Sequence, residues 1–505
     1  MHDGLIANSA WPKVQKPELN CQAIYQSFAQ LTSRAPNKEN FELVFNFDRK
    51  ILDGRYANHG WLQEMPDPVT KINWDNALLM SPTAAREYNI KSGVQKNSYV
   101  ADLVKISIGE RSLELPVFVM PGLNDYSLVT TMGYGRTHAG VIGNNVGFDV
   151  LNLVLGYDNL VQHGVKLERT LRTRILSSTQ EQFAMNGDTI QEIDVLSMQG
   201  RDPARVTNLA EYEKDPKGVQ NQGLLPSLLV HEKNKSTKVP LQITSPWDYS
   251  KGNQWGMVID LAKCVGCNAC IIACQSENNI PVVGREQVVR GRMMQWIRVD
   301  RYFIGDVKAP RAATQPVPCM HCENAPCEPV CPVAATSHDK EGLNAMTYNR
   351  CVGTRYCANN CPYKVRRFNY FDFTHSGNLY VAPEQVARQK TLKLQRNPDV
   401  TVRYRGVMEK CTYCTQRIQE AKIAAVRKNQ DQNNLPDGAV TPACAQSCPA
   451  EAIVFGSIND PNSRVSELKK VDRNYTMLDV LNSRPRTSYL SLLRNPHPEL
   501  VETNA

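Results

Sequence analysis

The stretch CVGCNACIIAC, Cys264 to Cys274, carries four cysteines separated by two, two and three residues. Thiolates this closely spaced let one loop wrap three corners of a cuboidal iron-sulfur core while its N–H groups point at the sulfides. The fourth, leaving on a helix, is carried to a neighbouring core. Such runs therefore work in pairs. Three more runs follow: Cys319, Cys322, Cys327, Cys331 and then Pro332; Cys351, Cys357, Cys361 and then Pro362; Cys411, Cys414, Cys444, Cys448 and then Pro449. The last is split by an insertion of helical pattern, RIQEAKIAAVRKNQ, and the third, CVGTRYCANNCP, has Thr354 where a thiolate is expected.

Of 16 cysteines in 505 residues, 15 lie between Cys264 and Cys448, and Cys21 alone stands outside, where it reads as a small buried hydrophobe. A disulfide framework belongs to short secreted chains. Zinc takes four closed ligands and has no use for a repeated Cys-Pro ending or a two, two, three spacing. Residues 251–460 hold 26 Lys+Arg against 18 Asp+Glu, while the rest of the chain balances at 32 against 32, so the net charge of +8 sits around the cysteines. Cations alternate with aromatics in YKVRRFNYF (Tyr363 to Phe371), a pattern nucleic-acid binders also use. Thiolate-held cores, each about −2 overall, call for the same cations, and no nucleic-acid partner is expected.

The remaining text divides the chain. Residues 1–65 show no strong period and read as an irregular docking arm. Ser81 and Pro82 suit the cap and first position of a short helix that ends before Gly93. DLVKISIG, SLELPVFVM and YSLVTTMGYG are β-rich and broken by GER and PGLND, which predicts a compact β-barrel over 66–165. GYGRTHAG (Gly133 to Gly140) lacks nucleotide-fingerprint spacing and reads as a turn-forming loop. Residues 166–245, with KDPKGVQNQG and HEKNKSTK, read as a surface linker, 246–460 as the cluster domain, and 461–505 as a tail packing back on it or on a partner. The fold class is α+β. No apolar run approaches a membrane span and MHDGLIANSAWPKVQ has no signal-peptide pattern, so attachment to a membrane is expected through partners. His321 and His338 read as packing or hydrogen-bonding residues, Met293, Met294 and Trp296 as core, and no catalytic constellation stands out.

The four runs resemble the four-cluster ferredoxin subunits serving molybdopterin oxidoreductases, in which the first run pairs with the fourth and the second with the third. The resemblance implies one 4Fe-4S cluster on Cys264, Cys267, Cys270 and Cys448, a second on Cys411, Cys414, Cys444 and Cys274, and a third on Cys319, Cys322, Cys327 and Cys361. Cys351, Cys357 and Cys331 remain for a 3Fe-4S cluster with Thr354 at the vacant corner. FELVFNFDRKILDGRYANHGWLQEMPDPVTKINWDNALLMSP (41–82), GYGRTHAGVIGNNVGFDV (133–150) and the span from WDYSKGNQWGMVIDLAKC to IRVDRYF (247–303) are similar to the C-terminal half of the B subunit of bacterial alternative complex III. That resemblance implies a barrel of double-psi type like the molybdopterin-dinucleotide-binding domain, serving as scaffold without a molybdenum cofactor. It also implies an integral-membrane quinol-binding partner, multihaem and monohaem cytochrome c subunits, and a place on the periplasmic side of the cytoplasmic membrane. A separate chain is expected to carry the N-terminal molybdopterin-type body and the export signal.

Overall fold

The structure, a computed structural model, describes residues 20–22, 25, 36–95, 98–154, 160–181, 183, 202–220, 227–232, 235–240, 247–373 and 393–497. Most of the arm expected over 1–65, and parts of the expected linker and tail, lie outside these residues. Cys21 is exposed, between exposed Asn20 and Gln22, so its expected place in a core is corrected.

Seven strands form the first sheet: β1 (Phe41–Phe47), β2 (Leu78–Met80), β3 (Ser92–Gln95), β4 (Ser98–Ile108), β5 (Arg111–Val119), β6 (Ser127–Met132) and β7 (Val161–Leu176). Their order is β3-β4-β5-β2-β6-β1-β7, and β4 also pairs with β7, so the sheet closes on itself as a barrel of mixed strands. Alternation explains the inside: Phe41, Leu43 and Phe45 of β1 and Val104, Ile106 and Ile108 of β4 are buried in one cluster with Leu115, Val117, Leu128 and Val165. The helix Pro82–Glu87 is capped as expected, Ser81 Oγ accepting from the N–H of Ala84 at 3.1 Å. Its left-handed exit falls on Asn89 (φ 52°), and Gly93 lies within β3.

Two expected boundaries move. The barrel begins at Phe41, inside the expected arm, because β1 pairs in parallel with β6 some eighty residues on, a partnership with no local signature. It ends at Leu176, inside the expected linker, because β7 closes it against β1 and β4 although it is largely exposed and carries a charged stretch, KLERTLRTR. The rest of that span is also more ordered than expected. Val206–Asn208 pairs with Leu492–Arg494, and Ser227–Glu232 forms a hairpin with Lys235–Pro240. In GYGRTHAG the glycines serve close backbone approach: a Cβ on Gly133 would stand 2.7 Å from the Gly54 nitrogen.

The cysteine half is built on a four-stranded sheet. Trp255–Asp260 is antiparallel to Ile453–Ser457 on one side and parallel to Thr487–Leu490 on the other, and the latter is antiparallel to Asn474–Tyr475. The tail expected to start at 461 thus supplies half the strands of this sheet. The halves share cores. Trp74, between barrel strands, joins the cluster that contains Cys270, Cys274 and Trp296. Phe118 of β5 points away from the barrel interior and packs with Tyr99, Phe183 and Phe303.

Candidate iron-sulfur centres

All 16 cysteines are free thiols, so no disulfide competes for them. Twelve of them fall into three neighbouring sets. Cys274, Cys411, Cys414 and Cys444 line one hollow of about 330 Å³ of atom-free space, with Asn278, Tyr413 and Pro442. Cys319, Cys322, Cys327 and Cys361 line another of about 320 Å³, with Asn344, Tyr363 and Arg366. Cys264, Cys267, Cys270 and Cys448 gather closely enough for their thiolates to repel one another. Among the described residues no three His, Cys, Asp or Glu converge as ligands of a single ion would. Thiols spread around an empty space suit a core of several irons, one iron to each sulfur.

The loops are local repeats. In CVGCNAC, Gly266 (φ 69°) and Asn268 (φ 65°) take left-handed conformations and a helix starts at Ala269; in CVGTRYC, Gly353 (φ 75°), Arg355 (φ 61°) and a helix at Tyr356 repeat this. Thr354 therefore occupies the backbone position of Cys267, and both are exposed. The Cys-Pro turns repeat as well. The third residue after Cys331, Cys361 and Cys448 is left-handed in each (Ala334, Lys364, Glu451). The turn brings the next N–H back to the sulfur, Ala335 to Cys331 at 3.2 Å and Ala452 to Cys448 at 3.3 Å. Such donors favour thiolate over thiol. Burial pushes the Cys331 thiol up, but the N–H groups of Val333, Ala335 and Thr336, aided by Arg366, bring it below its ordinary value.

Elsewhere burial dominates. It pushes the thiols of Cys327 and Cys411 up to about 12 and those of Cys274, Cys322 and Cys444 well above the ordinary range, with neighbouring thiolates adding to the rise. These sulfurs become thiolates only when a cation holds them, as iron would. Fixed cations help. Lys410 is fully buried beside Cys411, and its Nζ donates to the Cys411 carbonyl at 2.9 Å. Arg366, also buried, donates to Cys327 Sγ at 3.4 Å and hydrogen-bonds Cys357 too, so it links the hollow lined by Cys327 to the loop that bears Cys357.

Neighbour interactions give the sets a spatial order. Cys270 lies near Cys444, Cys411 near Cys319, and Arg366 between Cys327 and Cys357. The sets run from Cys264/Cys267/Cys270/Cys448 through Cys274/Cys411/Cys414/Cys444 to Cys319/Cys322/Cys327/Cys361, and Arg366 leads on to Cys331 and Cys357, which with Cys351 make the expected fourth set. We number them first to fourth. Cys267 is exposed at the first set, and Val352, Thr354 and Tyr356 are exposed at the fourth.

His321 has the hydrogen-bonding and packing surroundings expected, whereas His338 packs near Tyr249 with neither ring nitrogen hydrogen-bonded among the described residues. His321 stacks on Tyr413 at 3.9 Å, its Nδ1 accepts from the Asn344 N–H at 3.1 Å, and burial with nearby Lys410 pushes it well below the ordinary imidazole range, so it is neutral. His338 Nδ1 lies 2.7 Å from Glu328 Oε1, an ion-pair distance without hydrogen-bond alignment. Met294 and Trp296 are buried, and Trp296 Nε1 donates to Glu409 at 3.2 Å. Sequence reasoning did not single out Lys410 or Arg366. The position of Lys410 next to Cys411 and the KVRRF context of Arg366 were the available signals.

The sequence pattern described as a 4Fe-4S dicluster domain matches residues 263–335 and again, in a second form of the same description, 311–375. The chain is 42% identical over 243 residues to the menaquinone reductase iron-sulfur cluster-binding subunit of Nitratidesulfovibrio vulgaris, covering 47% of this chain and 89% of that protein. The chain belongs to this family of iron-sulfur cluster-binding subunits. It is also 30% identical to the Hdr-like menaquinol oxidoreductase iron-sulfur subunit 1 of Archaeoglobus fulgidus, over 50% of this chain and 88% of that one. With a subunit of the tetrathionate reductase of Salmonella typhimurium it shares 28% identity, over 48% and 74%. This iron-sulfur subunit is an electron-transfer protein whose dicluster matches begin at residue 263, beyond the barrel. No helix among its described residues is long and apolar enough to cross a membrane.

Proposed function

We propose that this chain is the iron-sulfur electron-transfer subunit of an alternative complex III, the counterpart of the C-terminal half of its B subunit. It relays electrons from quinol, oxidised in an integral-membrane partner on the periplasmic side, towards multihaem and monohaem cytochrome c subunits. In this reading the first, second and third sets each hold a 4Fe-4S cluster. The fourth, Cys331, Cys351 and Cys357 with Thr354, holds a 3Fe-4S cluster nearest the quinol site. Bound clusters supply reversible one-electron chemistry. The chain's own residues supply thiolates, insulation, and the N–H groups and cations that set the potentials. In this reading the barrel resembles the molybdopterin-dinucleotide-binding type and carries no molybdenum cofactor.

The observation that carries the fourth-set assignment is the repeated loop. Gly353 and Arg355 keep the left-handed backbone of Gly266 and Asn268, which supports reading Thr354 as the one ligand position of this loop without a sulfur. A Thr354→Cys variant of the assembled complex should gain a fourth ligand. The EPR signal of an oxidised 3Fe-4S cluster should disappear and a signal seen only on reduction should replace it, while quinol oxidation slows. Unchanged spectra and unchanged turnover would sink the assignment. The tetrathionate reductase relative favours a second reading, in which the subunit serves a molybdenum-dependent reductase of tetrathionate or polysulfide type. Molybdenum in the purified assembly would select it.

A further inference from the structure

The barrel reaches into the cysteine half at the first set. Pro66 and Lys71 lie on the segment between the helix Gly60–Glu64 and β2 (Leu78–Met80). The Pro66 carbonyl accepts from Asn268 Nδ2 at 2.9 Å, tying this segment to the loop that bears Cys267 and Cys270. Lys71 follows, held in a left-handed turn (φ 61°) by its N–H to the Asp67 carbonyl at 3.1 Å and by the Thr179 N–H to its own carbonyl at 3.2 Å. Its side chain is fully buried, and Nζ has no hydrogen-bond partner among the described residues. Asp67, Asp300 and Arg301 also face it, together with the Cys264 thiol. The two carboxylates are engaged elsewhere, Asp67 with Val69 and Thr70 and Asp300 with Arg298.

A buried ammonium with no hydrogen bond is costly and needs a compensating charge. We propose that Lys71 is a positioning residue contributed by the barrel, a fixed positive charge beside Cys264 that raises the reduction potential of the cluster held by the first set. The barrel then has an electrostatic role at one terminus of the relay as well as a packing one. Uptake of one electron by that core, with no proton transferred, adds a negative charge that the ammonium stabilises. The inference rests on the proposed assignment of Cys264, Cys267, Cys270 and Cys448 to one cluster.

The test is potentiometric EPR on the assembled holoprotein with iron determined in parallel, comparing wild type with Lys71→Met, Lys71→Gln and Lys71→Arg. The neutral variants should retain iron and shift one 4Fe-4S feature to lower potential. A tenfold fall in its reduction equilibrium constant corresponds to about 59 mV for a one-electron couple. The other features should stay in place and the arginine variant should titrate near wild type. Neutral variants with full iron and unmoved potentials would overturn the proposal. So would failure of both neutral variants to assemble while arginine does, since the charge would then serve folding alone. A Cys264→Ala variant reports on the cluster assignment separately: unaltered iron and spectra there would refute the assignment whatever Lys71 does.

Discussion

Arg366 shows how much a single side chain contributes when it lies between two thiolate sets. Its guanidinium is buried, donates to Cys327 Sγ at 3.4 Å and to Asn344 Oδ1 at 3.3 Å, and stays charged against the cost of burial because Cys327, Cys357 and Cys319 surround it. A guanidinium so placed favours the more negative, reduced state on both sides. An Arg366→Gln variant should therefore lower two EPR features together, those of the third and fourth sets, each by about tenfold in equilibrium constant. The feature that responds to Lys71 should not move. The candidate ligands were legible in the sequence because three of the four runs are compact, the fourth is split only by a helical insertion, and such spacing suits a core that a loop wraps. The cations were not. Lys71 stands far from Cys264 in the chain, and only the folded barrel brings it there. The basic surplus of residues 251–460 announced that positive charge was needed without telling which residues would be buried to supply it.

At the scale of elements, the short helix Gly60–Glu64 is held to the cysteine half by one carboxylate. Glu64 Oε2 accepts from the N–H groups of Val283 and Gly284 at 2.8 and 2.9 Å, the Gln295 amide donates to the Glu64 carbonyl at 3.1 Å, and Oε1 has no partner among the described residues. Burial outweighs the two N–H donors and pushes the carboxyl up to about 7 from an ordinary 4.5. The folded state thus binds the proton more tightly than the unfolded one. The resulting stabilisation is complete below pH 4.5 and is lost as pH rises to about 7, a difference of about 3 kcal/mol. Glu64→Gln keeps one acceptor oxygen and cannot ionise. Its melting temperature should exceed that of wild type at pH 8, with the gap closing towards pH 5. A gap independent of pH would show that Glu64 does not titrate in this window. Elements of this kind were only half visible beforehand. Ser81 and Pro82 announced their helix through local hydrogen bonding, whereas β1 and β7 draw their stability from partners many residues away, and the charged outer face of β7 hid it.

For the whole molecule, the segment read as a tail is where the cysteine half is closed. Tyr489 and Leu490 are fully buried, and their strand lies beside Trp255–Asp260 at the centre of the sheet. Around it, Arg486 donates to Gln254 Oε1 at 2.9 Å and to the carbonyls of Trp255 and Glu341 at 3.3 and 3.2 Å, and Tyr489 Oη donates to the Pro316 carbonyl at 2.9 Å. Two contacts lead directly to cysteine-bearing loops. The hydroxyls of Tyr413 and Thr487 are 2.6 Å apart, and those of Tyr363 and Ser483 are 2.7 Å apart, next to Cys414 and Cys361 respectively. Ending the chain at residue 460 would strip two strands from the four-stranded sheet and leave these buried donors and acceptors unpaired, each costing about 1–3 kcal/mol, which together exceeds the stability of a typical domain. All fifteen cysteines of the four runs would still be present in that truncated chain. It should nevertheless yield little or no brown holoprotein, with iron per chain falling by well over half, whereas a chain ending at residue 497 should load normally. Equal iron in the two would mean that the cysteine loops organise themselves without the sheet beneath them, and the dependence of cluster assembly on this closing strand would be refuted.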